Sequence, residues 1–151
     1  MKPPDPIVVS IGLAVTPART YAAFTAHFAE WWPAATHAQS RQAGTRCRLD
    51  ASAGGAPEEQ APDGTRHVRG AVQALEPGRR IRFSWHPGRE PESAQWIDVV
   101  FEAANSGNRV TLTHGGWEAL GEIAPILRQE YVSGWRNVFG IIYADFADGH
   151  A

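Results

Sequence analysis

"APILRQEYVSGWRNVFGIIYADF" (124–146) is the stretch on which the fold turns. Leu127, Tyr131, Trp135, Val138, Phe139, Ile142 and Phe146 fall within an arc of about 120° when successive residues turn by about 100°. That spacing predicts one long amphipathic helix starting near Ala124, with Pro125 in its first turn, where a missing N–H is harmless. A face so rich in aromatic residues must lie on something apolar. The rest of the chain offers only the inner face of a sheet.

Period-two alternation supplies that sheet. Ile7, Val9, Ile11, Leu13 and Val15 form the apolar face of a first strand. Thr16 is an N-cap with Pro17 at the first helical position, so a helix is expected from Pro17 to about Ala29, and Pro33 stops further helix. Residues 33–43 read as a connection. Two short edge strands around Gly54–Gly55 fit residues 44–64, although Pro57 and Pro62 weaken both. A strand is expected over Thr65–Leu75, with Val68, Gly70, Val72 and Ala74 on one face. The next runs Arg80 to His86, with Ile81, Phe83 and Trp85 on one face. Ile97, Val99 and Phe101 mark another, "NSGN" (105–108) a hairpin turn, and Val110, Leu112 and His114 one face of the last. A twisted antiparallel sheet curls, and the final helix covers its concave side. The fold class is α+β.

Composition sets the outer limits. With 151 residues the chain fits one domain, and 43% hydrophobic with 20% charged residues is ordinary for a soluble globular protein. A net charge of −2 gives no electrostatic case for nucleic acid or an anionic membrane surface. No apolar run reaches the roughly 18 residues of a membrane span. A single cysteine, Cys47, excludes an internal disulfide and cannot alone build a cysteine zinc site. The start, MKPPDP, lacks the apolar core of a secretory leader. The expectation is a cytoplasmic protein with a disordered tail over 1–6 and one domain over 7–148.

Order and motifs together resemble the SRPBCC superfamily, the group of START lipid-transfer domains, polyketide cyclases and the birch-pollen allergen. Within it the chain is similar to single-domain bacterial proteins related to the C-terminal domain of the activator of heat-shock-protein-90 ATPase. The resemblance rests on "TPARTYAAFT" (16–25), "WWPAATH" (31–37), "GG" (54–55), "PDG" (62–64), "GAVQALEPGRRIRFSWHPG" (70–88), "NRVTLTHGGWEALG" (108–121) and "YVSGW" (131–135). It implies a helix-grip fold, a curved antiparallel β-sheet wrapped around a long C-terminal α-helix, with a cavity between them for a small apolar or amphipathic ligand. It implies no reaction, because the superfamily hosts carriers, sensors and enzymes. Two departures stand out. Where similar proteins carry an aromatic and basic strand after the paired glycines, this chain has "APEEQ" (56–60), and where they carry an aromatic before Gly70, it has Arg69.

The expected ligand-binding wall is Trp31, Trp32, Phe83, Trp85, Phe101, His114, Trp117, Tyr131, Trp135 and Phe139, with Arg69 at the mouth. Adjacent tryptophans at the "EWWPAATH" corner (30–37) can serve two directions, one closing the cavity and one packing; His37 anchors the following loop. His114 should point toward the helix, either to a ligand or to a backbone carbonyl. His86 reads as a turn-capping group, and His27 with Glu30 as a surface pair. Arg66, Arg69, Arg79, Arg80, Arg82 and Arg89 read as a solvated face balanced by Glu76, Glu90 and Glu92, Arg69 excepted. "HGGW" (114–117) is superficially like an esterase oxyanion loop, but no G-x-S-x-G nucleophile accompanies it. The histidines show no metal-ligand spacing, so no metal, no cofactor and no catalytic residue is assigned. Partners are a small apolar or amphipathic ligand, with no nucleic acid and no membrane insertion; a homodimer stays open. The alternatives are an enzyme of cyclase, hydratase or hydrolase type, with His114 and then Glu118 as acid or base, and a chaperone-ATPase regulatory module.

Overall fold

The computed structural model describes residues 2–38, 40, 42–105 and 107–149. Met1 of the expected tail, Gln39 and Arg41 of the connection, and Ser106 of the hairpin turn lie outside the described residues. In chain order the elements are β1 (Ile7–Leu13), α1 (Pro17–Phe24), α2 (Phe28–Trp31), α3 (Ala34–His37), β2 (Arg46–Leu49), β3 (Pro57–Gln60), β4 (Arg66–Val68), β5 (Val72–Glu76), β6 (Arg80–Trp85), β7 (Gln95–Ala104) and β8 (Gly107–Gly115). Then α4 (Ala124–Asn137) passes through a wide turn, Val138–Tyr143, into α5 (Ala144–Gly149). One antiparallel sheet has the order β1-β8-β7-β6-β5, and a second has β2-β3-β4. This is the α+β helix-grip architecture, with the curved sheet closed around the terminal helix. Ile81, Phe83, Ile97, Val99, Phe101, Val110 and Leu112 all point inward and are buried, as their period-two spacing requires.

The first helix is shorter than its apolar spacing suggests. Thr16 caps it, its side chain accepting from the Arg19 N–H. At the far end Thr25 turns its hydroxyl back onto the Tyr21 carbonyl at 2.8 Å, and the His27 N–H reaches past the usual partner to Ala22. The helix breaks there and restarts as α2. The break would leave the Ala23 carbonyl without an intrahelical partner, and the Trp31 indole N–H supplies one at 2.9 Å.

The strand expected over Thr65–Leu75 is two strands, β4 and β5, interrupted at Arg69–Ala71. The cause is the junction of the two sheets. Arg69 N–H donates to the Pro57 carbonyl on one side, while its carbonyl accepts from His86 N–H on the other. Gly70 makes the crossing possible, because a Cβ there would stand 1.7 Å from the Ser84 carbonyl oxygen. Val68, expected to share a face with Gly70, Val72 and Ala74, is exposed on β4.

The terminal helix departs from a regular wheel. At about 100° per residue, Tyr143 and Ala147 fall outside the apolar arc, yet both are completely or nearly completely buried. The wide turn Val138–Tyr143, in which the Ala144 N–H reaches the Phe139 carbonyl, is the reason. It takes up the drift, so that Trp135, Phe139, Tyr143 and Ala147 form one stripe on the sheet and α1. Each large member of that stripe contributes roughly 1.5–3 kcal/mol by burial.

Candidate functional site

Pro33 organises the corner where the site lies. It disfavours a helical backbone at Trp32, which is extended (φ −64°, ψ 125°), while Trp31 is still helical. The two rings therefore diverge. Trp31 packs among Phe24, Phe28 and Tyr143, with ring centroids 5.0–5.3 Å away. Trp32 stacks on Phe28 and turns edge-on toward Trp85 and Trp135 at 5.7 and 6.0 Å. Its indole N–H reaches the His37 carbonyl at 3.4 Å and ties down the short helix α3.

Beside Trp32 opens a cleft of about 560 Å³. Its deep wall consists of Trp32, Trp85, Tyr131 and Trp135 with Leu120, Leu127, Val138 and the buried Gln95; its rim is built from Thr36–Ala38, the His86–Arg89 turn and Glu130. The turn is held in shape by His86, whose Nδ1 lies 3.1 Å from the Arg89 carbonyl. Inside, the Trp85 N–H donates to the Tyr131 hydroxyl at 3.1 Å.

Beneath this wall runs a polar chain with a single direction. Trp135 Nε1, which can only donate, bonds His114 Nδ1 at 2.9 Å. His114 therefore carries its proton on Nε2, which meets Gln95 Oε1 at 3.3 Å, and the Gln95 amide nitrogen donates to the Ser93 carbonyl. The imidazole is inaccessible to solvent, stacked on Trp117 at 4.4 Å. Burial holds its pKa down to about 3, so the ring is neutral at physiological pH.

Of the residues expected to form the wall, Trp32, Trp85, Tyr131 and Trp135 line the cleft. Trp31, Phe83, Phe101, Trp117 and Phe139 are buried in the core away from it, because the wide helical turn and α1 close the sheet's far end. His114 lies one layer behind the wall. Its ring nitrogens meet an indole and a side-chain amide rather than a backbone carbonyl. Glu118, the second acid–base candidate, is exposed and outside the cleft.

Arg69 does not line the cleft. It lines a small neighbouring hollow with Trp85, its Nη2 3.5 Å from Glu59 Oε2, and Glu59 is itself buried and accepts the Ser40 N–H. The two departures from the family pattern thus meet each other. Sequence reading missed this pairing, as it missed Glu58 and Asp98 as the partners of Arg66 and Arg80, and Trp96 as the ring beneath Arg82 at 4.3 Å. The period-two register was the available signal, since it places Arg82 opposite Asp98 and beside Trp96 on the outer face. His27 and Glu30 do pair, at the start of α2 rather than on α1. "HGGW" has a packing explanation: Trp96 lies so close that a Cβ on Gly115 would come within 2.3 Å of its ring. Among the described residues no three His, Cys, Asp or Glu side chains gather into a metal site.

The arrangement defines a helix-grip protein with a cleft between its terminal helix and the open end of its sheet. Residues 14–144 match the family described as Activator of Hsp90 ATPase homolog 1-like protein, and the chain belongs to that family. No curated protein matches it. Among solved structures, a Chromobacterium violaceum protein is similar at TM-score 0.66 and 23% identity, over 96% of this chain and 99% of that one. An anthrahydroquino-Gama-pyrone synthase is similar at TM-score 0.62 and 23% identity, over 97% and 99%. The Aha1 dimer from Colwellia psychrerythraea is similar at TM-score 0.60 and 18% identity, over 97% and 98%. At these identities the likeness is one of fold.

Proposed function

We propose that the chain is a cytoplasmic binding protein for a small apolar or amphipathic molecule, held in the cleft between α4, the Trp32 corner and the end of β6. The observation that carries this reading is the cleft itself. Its volume of about 560 Å³ lies in the ordinary range for small-ligand sites, and its deep wall is aromatic and aliphatic with few polar groups. A fold shared with a synthase and with a protein named as a dimer fits a cavity used for different ends in different relatives.

No acid or base reaches the deep wall from His114 or Glu118, so a binding role is the simpler use of this geometry. The test is titration with naphthalene-based probes, followed by tryptophan emission and thermal stability. Three tryptophans line the cleft, so occupation should quench or shift emission and raise the melting temperature. Unchanged emission and melting at saturating probe would sink the proposal.

A further inference from the structure

The three tryptophans that line the cleft have all spent their N–H groups within the protein: Trp32 on the His37 carbonyl, Trp85 on the Tyr131 hydroxyl, Trp135 on His114. They present carbon edges and faces only. Gln95 also borders the cleft, but it is 4% exposed, its oxygen faces His114 and one of its two amide N–H groups goes to the Ser93 carbonyl. Tyr131 differs. Its oxygen accepts from Trp85, and a phenol that accepts one bond still has a proton to donate. Among the described residues no acceptor receives that proton, and the hydroxyl sits at the contact between two cleft-lining residues, Tyr131 and Trp85. Burial raises its pKa, so the proton stays on the oxygen across the physiological range, and Arg89 and Glu130 act on it from the rim with opposite sign.

A donor fixed in this way is selective. Trp85 holds the oxygen, so the O–H can turn toward the cleft without losing its own bond. A ligand with only hydrogen and carbon at that depth strips water from the hydroxyl and returns nothing, whereas an oxygen acceptor restores the bond in a drier setting. Resting on the cleft being the ligand site, we propose that the ligand's apolar body ends in an oxygen acceptor, a carbonyl or a carboxylate, and that Tyr131 selects it.

Three probes of similar shape separate the possibilities: 2-ethylnaphthalene, 2-acetylnaphthalene and 2-naphthoate, each titrated into the wild-type protein and Tyr131→Phe. The preference for the ketone over the hydrocarbon should fall about fivefold to tenfold in Tyr131→Phe. Because that variant also leaves the Trp85 N–H without its partner, the bound ketone is read independently in the wild type by infrared spectroscopy. Its carbonyl stretch should lie below its position in an alkane solvent. A naphthoate preference that disappears in Arg89→Gln assigns the acceptor as a carboxylate; a ketone preference untouched by Arg89→Gln assigns it as a carbonyl. Probes that bind with an alkane-like stretch and a ratio unchanged in Tyr131→Phe overturn the Tyr131 assignment and leave the cleft reading standing. If no probe binds at all, both fall together.

Discussion

Trp135 on the terminal helix donates its indole N–H to His114 on the last strand at 2.9 Å, and this bond sets the polarity of everything beyond it. Because the indole cannot accept, the imidazole must receive at Nδ1 and donate at Nε2, and Gln95 must receive in turn. The chain ends on the Ser93 carbonyl, in the β6–β7 connection that also carries the His86–Arg89 turn. One line of hydrogen bonds therefore joins the helix wall to that connection through the core.

That line is sensitive to acid. The folded pKa of His114 is held down to about 3 by burial, against an ordinary value near 6.5. Between those values the unfolded chain binds the proton and the folded chain does not, so stability rises with pH and is lost as pH falls through the window. The contribution is complete above about pH 6.5 and declines by roughly 1.4 kcal/mol per pH unit below it. His114→Gln, which cannot titrate, should show a shallower fall in urea-melt stability between pH 6 and pH 4 by about one proton. An identical slope in the two proteins would show that the imidazole is not held neutral.

Glu59 and Arg69 form a buried pair that replaces the aromatic expected near the sheet junction. The side chains are 4% and 16% exposed, so neither charge is well hydrated. Removing either side chain takes the opposite charge away from a poorly hydrated one: Glu59→Gln and Arg69→Met should each cost about 2–4 kcal/mol. Removing both should cost less than the sum, with a coupling of about 1–3 kcal/mol in denaturant melts. Strict additivity would mean that the two charges do not sense each other.

Cys47 lies opposite Glu59 in the β2–β3 pair and is buried. Burial first, then the Glu59 charge, push its thiol up to about 12, while Arg69 acts in the other direction. Only a minute fraction is thiolate at pH 8. Ellman's reagent should react with the native protein at least 100-fold more slowly than with the urea-unfolded chain. Arg69→Met should slow it further or leave it unchanged. Rapid labelling of the native protein would contradict this placement.

Much of this was legible in the sequence, because the strands state their register by alternation. Ile81, Phe83 and Trp85, then Ile97, Val99 and Phe101, then Val110, Leu112 and His114 face inward where period two puts them. The cleft was harder to read, because it depends on where regular structure fails. Tyr143 enters the core only through a wide turn that a constant angle per residue cannot foresee. Arg69 meets Glu59 only because Gly70 lets the chain cross from one sheet to the other. Local pattern identifies a residue's face; it does not identify which inward residues border empty space and which border one another.

Trp31 and Trp32 make that difference measurable. Trp31→Phe keeps an aromatic ring among Phe24, Phe28 and Tyr143 but leaves the Ala23 carbonyl, at the end of α1, without its donor. The expected loss is about 1–3 kcal/mol of stability, with naphthalene-probe affinity nearly unchanged once the protein is folded. Trp32→Phe removes the longer bond to the His37 carbonyl and part of the cleft wall. It should cost less stability yet weaken probe binding severalfold, since this ring lines the cleft as well as packing on Phe28. Urea melts and probe titrations on both variants separate the two roles. If Trp31→Phe weakens the probe as much as Trp32→Phe does, the division of the corner into a packing ring and a cleft ring is wrong.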